Sequence, residues 1–471
     1  MTDNPISQES PIDRLGLSLF IILTGSFLSP LLMNSSTLAI PAIADDMQFT
    51  ATIVSWFTLV QVLATACFVL PAGKLADRFG RRKMFIIGMA VCCLACFIGG
   101  LAFNGYLILF ARALQGIGAS LIFASAIALL VSVPPENQKA KVMGIYISVI
   151  YVGVVAGPLF GGFVLQSFDW RWVFLIPGFV FLGLTTVGAL FMNWERYGDR
   201  NTRLRALDVS LYVSALLLLA FGMFDAGSVL GQSLIVIGGF SFAAFCWFQT
   251  KRKDPLLQVK LFTESRTYTI LGLAHFLTYI GIYALPFTLT LFLQYLKDID
   301  PQTTGFILLA QALCTAIIAP FGGFLADRFR PRYLIISGAI IFVSGCGLLA
   351  TLSPASPAFV VVIAISLIGA SVGLMDPPIL SVTMATVSDD LLGSASATLN
   401  GLRTVGGFIG IGLVSYLMGF HLGDVTIEPA LYPKLMQVIH QFFIIASTVS
   451  VLSVSLLIYG IVTRPKVKHQ P

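Results

Sequence analysis

Charge is what this sequence has least of. Asp, Glu, Lys and Arg make up 11% of its 471 residues, against 57% hydrophobic ones, and the mean hydropathy is +0.91. Soluble domains carry ~25% charged residues, so that class is excluded. No Walker P-loop appears, which argues against ATP as energy source, and neither HExxH nor GxSxG is present, which leaves no metalloprotease or α/β-hydrolase signature. No enzyme, cofactor or metal is expected. The opening MTDNPISQESPID has no basic n-region and no cleavage site, so the first apolar run is expected to stay as a helix in a mature protein that is the whole chain. The seven cysteines all fall in apolar runs. Cys93 and Cys96 spell CxxC without a second pair, which fits helix packing better than a metal or redox site.

What remains is apolar sequence in pieces of about 20 residues, each able to cross a ~30 Å hydrocarbon core as a helix. Fourteen are predicted, at 16–38, 51–72, 84–103, 105–131, 142–165, 172–193, 208–225, 231–250, 268–294, 303–325, 333–352, 357–384, 393–419 and 438–462. The fold class is therefore an all-α polytopic membrane protein. With the N-terminus inside, all but five of the 28 Lys and Arg (Arg112, Arg171, Lys297, Arg403 and Lys434) fall in cytoplasmic segments. The net charge of +6 thus reads as a topology signal rather than a nucleic-acid footprint, and both termini are expected in the cytoplasm.

The string LADRF occurs at 75–79 and again at 325–329, and IGAS at 117–120 and again at 368–371. Two strings at nearly one offset, in one order, imply two homologous halves of six helices. Eight helices separate the equivalent positions, so two, at about 208–250, are an insertion. The expected organisation is a tail at 1–15, a six-helix bundle at 16–193, loops and two inserted helices at 194–267, a second bundle at 268–462 and a tail at 463–471. Repeated halves are the architecture of secondary transporters, which rock about a midplane site. Asp77 and Asp327 then sit at matching cytoplasmic turns beside arginines, on a surface that opens and closes.

These residues resemble the major facilitator superfamily, and within it the 14-helix drug:proton antiporter branch. GKLADRFGRRK, from Gly73 to Lys83, is similar to that family's latch motif, which implies a gating role for Gly73, Asp77, Arg78, Gly80, Arg81 and Arg82, with Asp327 and Arg328 as the second copy. RALQGIG, from Arg112 to Gly118, resembles the helix-four motif in which the arginine is implicated in proton handling. A charge there costs roughly 2.5–3.5 kcal/mol at a helix centre on insertion scales, so it should face an interior or a wet cavity. GVVAGPLFGG resembles the antiporter motif through Gly153, Gly157, Pro158, Gly161 and Gly162. NGLRTVGGFIG, from Asn400 to Gly410, and Trp56 fit the 14-helix branch as well.

The chain departs from that branch in helix one, where Leu32 occupies the usual aspartate position and Asn34 offers only hydrogen bonds. The clearest intramembrane acid is Asp376, in IGASVGLMDPPI. Desolvation and the adjacent Pro377 and Pro378 make it a candidate for proton coupling. His275, Tyr279 and Tyr283 recur every four residues and share a helix face, with His275 a second protonation candidate. Gln115 and Arg403, with Tyr146, Tyr151 and Gln61, are cavity candidates.

The expected function is export of a small organic compound, a drug or toxic substance, in exchange for protons. An anionic or neutral metabolite such as a siderophore is the alternative substrate, and a non-transporting membrane sensor of the same fold the alternative class. Expected partners are the small-molecule substrate, protons and the lipid bilayer of an inner membrane, not nucleic acid; a channel partner in the envelope is not readable from the sequence.

Overall fold

The computed structural model describes the chain except residues 1–10, 133–135, 193, 196, 199–203, 226–227, 253–254, 329–330, 388–391 and 463–471. Among the described residues, fourteen helices are long and apolar enough to cross a membrane. They are α1 (Pro11–Leu38), α2 (Ala51–Phe79), α3 (Arg81–Gly100), α4 (Gly105–Ser132), α5 (Glu136–Ser167), α6 (Trp172–Phe191) and α7 (Ala206–Phe224). The rest are α8 (Val229–Thr250), α9 (Arg266–Leu291), α10 (Pro301–Arg328), α11 (Pro331–Ala350), α12 (Ala358–Met384), α13 (Leu392–His421) and α14 (Tyr432–Val462). Among the described residues the only strand-like pairing is one bridge, Thr50 with Thr426.

Several helices overrun the expected spans. α5 begins at Glu136 rather than 142, and α14 at Tyr432 rather than 438. Hydropathy reads only the stretch that fills hydrocarbon, whereas backbone hydrogen bonds continue into the polar interface. The first LADRF, expected in a turn, is helical through Phe79; Gly80 alone, at φ 109°, separates α2 from α3. Helices continue through Pro158, Pro286, Pro377 and Pro378.

α1–α6 and α9–α14 form two six-helix bundles. The duplication persists in hydrogen bonding: Thr65 Oγ1 of α2 donates to the carbonyls of Gln61 (2.9 Å) and Gly116 (3.3 Å). Thr315 Oγ1 of α10 donates to those of Gln311 and Gly369 (both 3.0 Å).

Two seams join the halves. α2 meets α13 through a 2.8 Å bond between the Ser55 and Ser415 hydroxyls. α5 meets α10 where Gly162 lies against Gln302 and Gly305 against the carbonyl of Pro158. All of these lie toward the face opposite LADRF, where the Ala51 N–H also donates to the Val425 carbonyl (2.7 Å) and Gln294 Nε2 to that of Leu38 (3.0 Å). Eighteen residues on, about five turns and so on the same helix faces, Gly73, Gly144 and Gly323 have nothing within 4 Å. Both seams are closed on one side of the membrane and open on the LADRF side.

α7 packs along the α2–α13 seam, and α8 packs against α7. Tyr212 donates to the carbonyl of Ala66 (2.7 Å), and Trp56 stacks with Phe221 and Phe224 (5.3 and 5.6 Å between centroids). On the other half, Met223 meets Gly412 of α13.

Candidate functional site

Three glycines set the depth at which α13 seats on α9. A Cβ at Gly406, Gly407 or Gly410 would run into the Phe276 carbonyl, the Tyr283 ring or the Ile280 carbonyl. Small residues allow such backbone approach between membrane helices. The seating brings Arg403, one turn before Gly407, over the Tyr279 ring at 4.4 Å.

Tyr279 in turn donates to Asp376 Oδ2 of α12 (2.5 Å). His275, one turn earlier on α9, stacks on Tyr279 (4.7 Å between centroids) and places Nδ1 3.7 Å from Asp376 Oδ1. That distance exceeds a direct hydrogen bond. Tyr283 continues the face, 5.8 Å from Tyr279. The first half contributes Tyr151 of α5, within electrostatic range of Asp376, Arg403 and Tyr283. His275 and Asp376 are buried, while Arg403 and Tyr151 are half-buried. The cluster can hold or pass a proton between a carboxylate, an imidazole and a phenol, next to a guanidinium.

Arg112 belongs elsewhere. It is fully buried in the first half, donating from Nη1 to Ser36 Oγ (2.6 Å) and Gln115 Oε1 (2.8 Å), and from Nε to the Phe57 carbonyl (3.2 Å). It also lies over the Phe57 ring at 4.5 Å, and its Nη2 has no partner. It sits seven residues from the start of α4 and Asp376 eight from the end of α12. At 1.5 Å per residue these place Arg112 about 10 Å from the face opposite LADRF and Asp376 about 12 Å from the LADRF face. Arg112 and the Asp376–His275 pair, each singled out in the sequence as a candidate for proton handling, therefore lie at two different depths. Gln115 is occupied by Arg112, and Asn34 donates back to the Pro30 carbonyl of its own helix (2.8 Å).

At the LADRF face Arg81 bonds Asp77 Oδ1 through Nε and Nη2 (3.0 and 2.9 Å) and the Ala128 carbonyl through Nη1. The Gly198 N–H donates to the Asp77 carbonyl, and Arg82 Nη2 reaches the carbonyls of Gly188 and Ala189. Glu195 carries a role that the sequence did not suggest: its carboxylate accepts from the N–H groups of Arg82 (2.8 Å) and Lys83 (3.1 Å), closing the N-terminus of α3. One acid among basic residues was the available signal. Each of these contacts stays within the first half. Arg78 and Arg328 are exposed, each over a phenylalanine of its own helix; the side chain of Asp327 lies outside the described residues.

The antiporter motif is a packing seam. Gly153, Gly157 and Gly161 seat α5 on α1, against the Phe27 carbonyl, Asn34 and Ser35, while Pro158 and Gly162 meet α10.

Duplicated six-helix bundles, two inserted helices and charged groups buried between them define a multi-pass membrane transporter. The Major Facilitator Superfamily model matches residues 22–250 and 271–471, and the chain belongs to that family. It is 29% identical over 419 residues to the puromycin resistance protein pur8 of Streptomyces alboniger, covering 86% of this chain and 82% of that one. It is 27% identical over 469 residues to the multidrug resistance protein Stp of Mycobacterium tuberculosis, covering 97% and 84%. In fold it is similar to a bacterial homologue of the human lysosomal transporter Spinster, in an inward-facing and occupied conformation, with TM-score 0.70, 16% identity and 98% of each chain covered.

Proposed function

We propose that this protein exports a small organic compound from the cytoplasm in exchange for protons, by alternating access, in a cell inner membrane with both termini cytoplasmic. The observation that carries this reading is the Asp376 cluster, an intramembrane carboxylate bonded to Tyr279, with His275 beside it and Tyr151 across from it on the other half. Resistance-protein relatives support the export of a drug-like compound.

The concentration of basic residues on the LADRF face supports a cytoplasmic location for that face. The open sides of both seams then look inward, so the cluster lies toward the side from which an exported compound would load. Proton uptake by Asp376 turns its acceptor oxygen into a potential donor and rearranges the bond from Tyr279. That local change is what a coupled cycle needs to favour one arrangement of the halves. Gly73 and the Asp77–Arg81 pair, with Asp327 and Arg328 of the second copy, form the gate that closes when the cytoplasmic ends meet. Arg112 acts separately, fixing α1, α2 and α4 together.

The test is flux in proteoliposomes carrying a pH gradient, with puromycin and neutral and anionic aromatic compounds as probes. Asp376→Asn should reduce proton-linked flux by more than tenfold, as loss of a positioned proton carrier does, with thermal stability close to native. Native-level coupled flux in the Asn variant would remove Asp376 from this role.

A further inference from the structure

The ionised side chains within the membrane favour one sign. Among the described residues, Asp376 is the only acid lying seven or more residues from both ends of a membrane span, whereas Arg112 and Arg403 are both that deep. Asp208, near the start of α7, is paired with Arg252 at 3.1 Å. In helix one Leu32 is buried where the resemblance calls for an acid, so Arg112 has only neutral partners.

The two arginines differ in availability. Arg112 is fully buried and largely engaged, whereas Arg403 is half-buried and, among the described residues, makes neither a hydrogen bond nor an ion pair within 4 Å. Asp376 makes no ion pair with it within 4 Å, although the two charges attract each other across the cluster; that carboxylate accepts from Tyr279 and lies 3.7 Å from His275. Stacking on Tyr279 holds the guanidinium in place, and a stacked guanidinium keeps its edge N–H groups free for a planar oxyanion. Tyr283 lies 5.8 Å from Tyr279, and both it and Tyr151 are within electrostatic range of the guanidinium.

We propose that Arg403 is the substrate-charge selector of the transport site and that the compound carried has an oxyanion, such as a carboxylate, attached to an aromatic or flat apolar body. The anion takes the free edge of Arg403, and the ring lies among Tyr279, Tyr283 and Tyr151. Cations are disfavoured at this edge because the guanidinium repels them; the Asp376 carboxylate, whose Oδ1 has no hydrogen-bond partner, is the competing site for a cation, and probes of opposite charge distinguish these outcomes. This rests on the transport reading above, but binding tests it without any gradient.

The probes are 2-naphthoate and 2-naphthylmethylammonium, which share a ring and differ in the sign of their charge. Their affinities are measured by titration calorimetry on purified full-length protein in nanodiscs. Native protein should bind naphthoate in preference to the ammonium compound. Arg403→Gln should weaken naphthoate by about tenfold or more, the worth of a charge-assisted pair, and Arg403→Lys by less. Equal or better binding of the ammonium probe, binding of neither, or an unchanged naphthoate affinity in Arg403→Gln overturns the proposal. If Arg403→Gln does not fold, the preference of native protein between the two probes decides. Anion binding without proton-linked flux would remove the exchange reading and leave this one standing; proton-linked flux of the cation alone would do the reverse.

Discussion

At the scale of single residues, one glycine and one carboxylate hold the break between α2 and α3. Gly80 adopts φ 109°, and a Cβ there would lie 2.5 Å from the Glu195 carboxylate carbon. Glu195→Gln should lower stability by about 1 kcal/mol, a typical cost for a helix N-terminal partner, and Gly80→Ala should cost more, because strain and clash add. Thermal unfolding in detergent reads both. On the opposite face Asp424 is held below the ordinary carboxylate range by side-chain hydrogen bonds from Thr50 and Thr52. A depressed folded value means the stabilisation is complete above about pH 4 and fades as pH falls through that lower value. Hydrogen-exchange protection factors, corrected for the intrinsic pH dependence of exchange, should therefore fall at residues 48–54 and 422–428 at strongly acid pH in native protein, and Asp424→Asn should show the lower protection already at pH 7.

At the scale of elements, glycine spacing determines which helices touch. NGLRTVGGFIG seats α13 on α9 so that Arg403 reaches Tyr279, and GVVAGPLFGG does the same for α5 on α1. Gly410→Ala should cost about 1–3 kcal/mol, as overpacking does. It should also reduce transport, because α13 must move away from the Ile280 carbonyl and carry Arg403 with it. A variant with native stability and native flux would separate the motif from the site. Both motifs were visible as strings, and the resemblance attached them to helices five and thirteen. Which neighbour each glycine faces was not visible, because that depends on rotation about the helix axis as well as on spacing.

At the scale of the molecule, the two halves meet at one end of each seam. The α2–α13 contact runs from Ser55–Ser415 to Leu70–Gly401; five turns beyond Ser55 and Ser415, Gly73 has open space around its Cα and Ala397 is exposed. A cycle that alternates access must bring them together. Cysteines at Gly73 and Ala397 should therefore remain uncrosslinked when the LADRF side is open and crosslink when a compound or a proton gradient drives that side shut. Crosslinking that never responds to either would count against alternation at this seam. Of the inserted pair, α7 touches both α2 and α13 and so bridges this seam.

The sequence by itself determined the membrane class, the fourteen helices, the duplication and the inserted pair, because each follows from runs of hydrophobicity and repeated strings that need no partner to be read. It also singled out Asp376, His275, Tyr279, Tyr283 and Arg403, since polar groups in an apolar run are conspicuous. Only the tertiary structure decided that these five converge while Arg112 lies at another depth. It alone supplied the Glu195 cap, the Ala51–Val425 clasp and the side on which the seams open. Those depend on how helices far apart in sequence are rotated and seated against one another, and close packing of distant side chains fixes that, not local pattern.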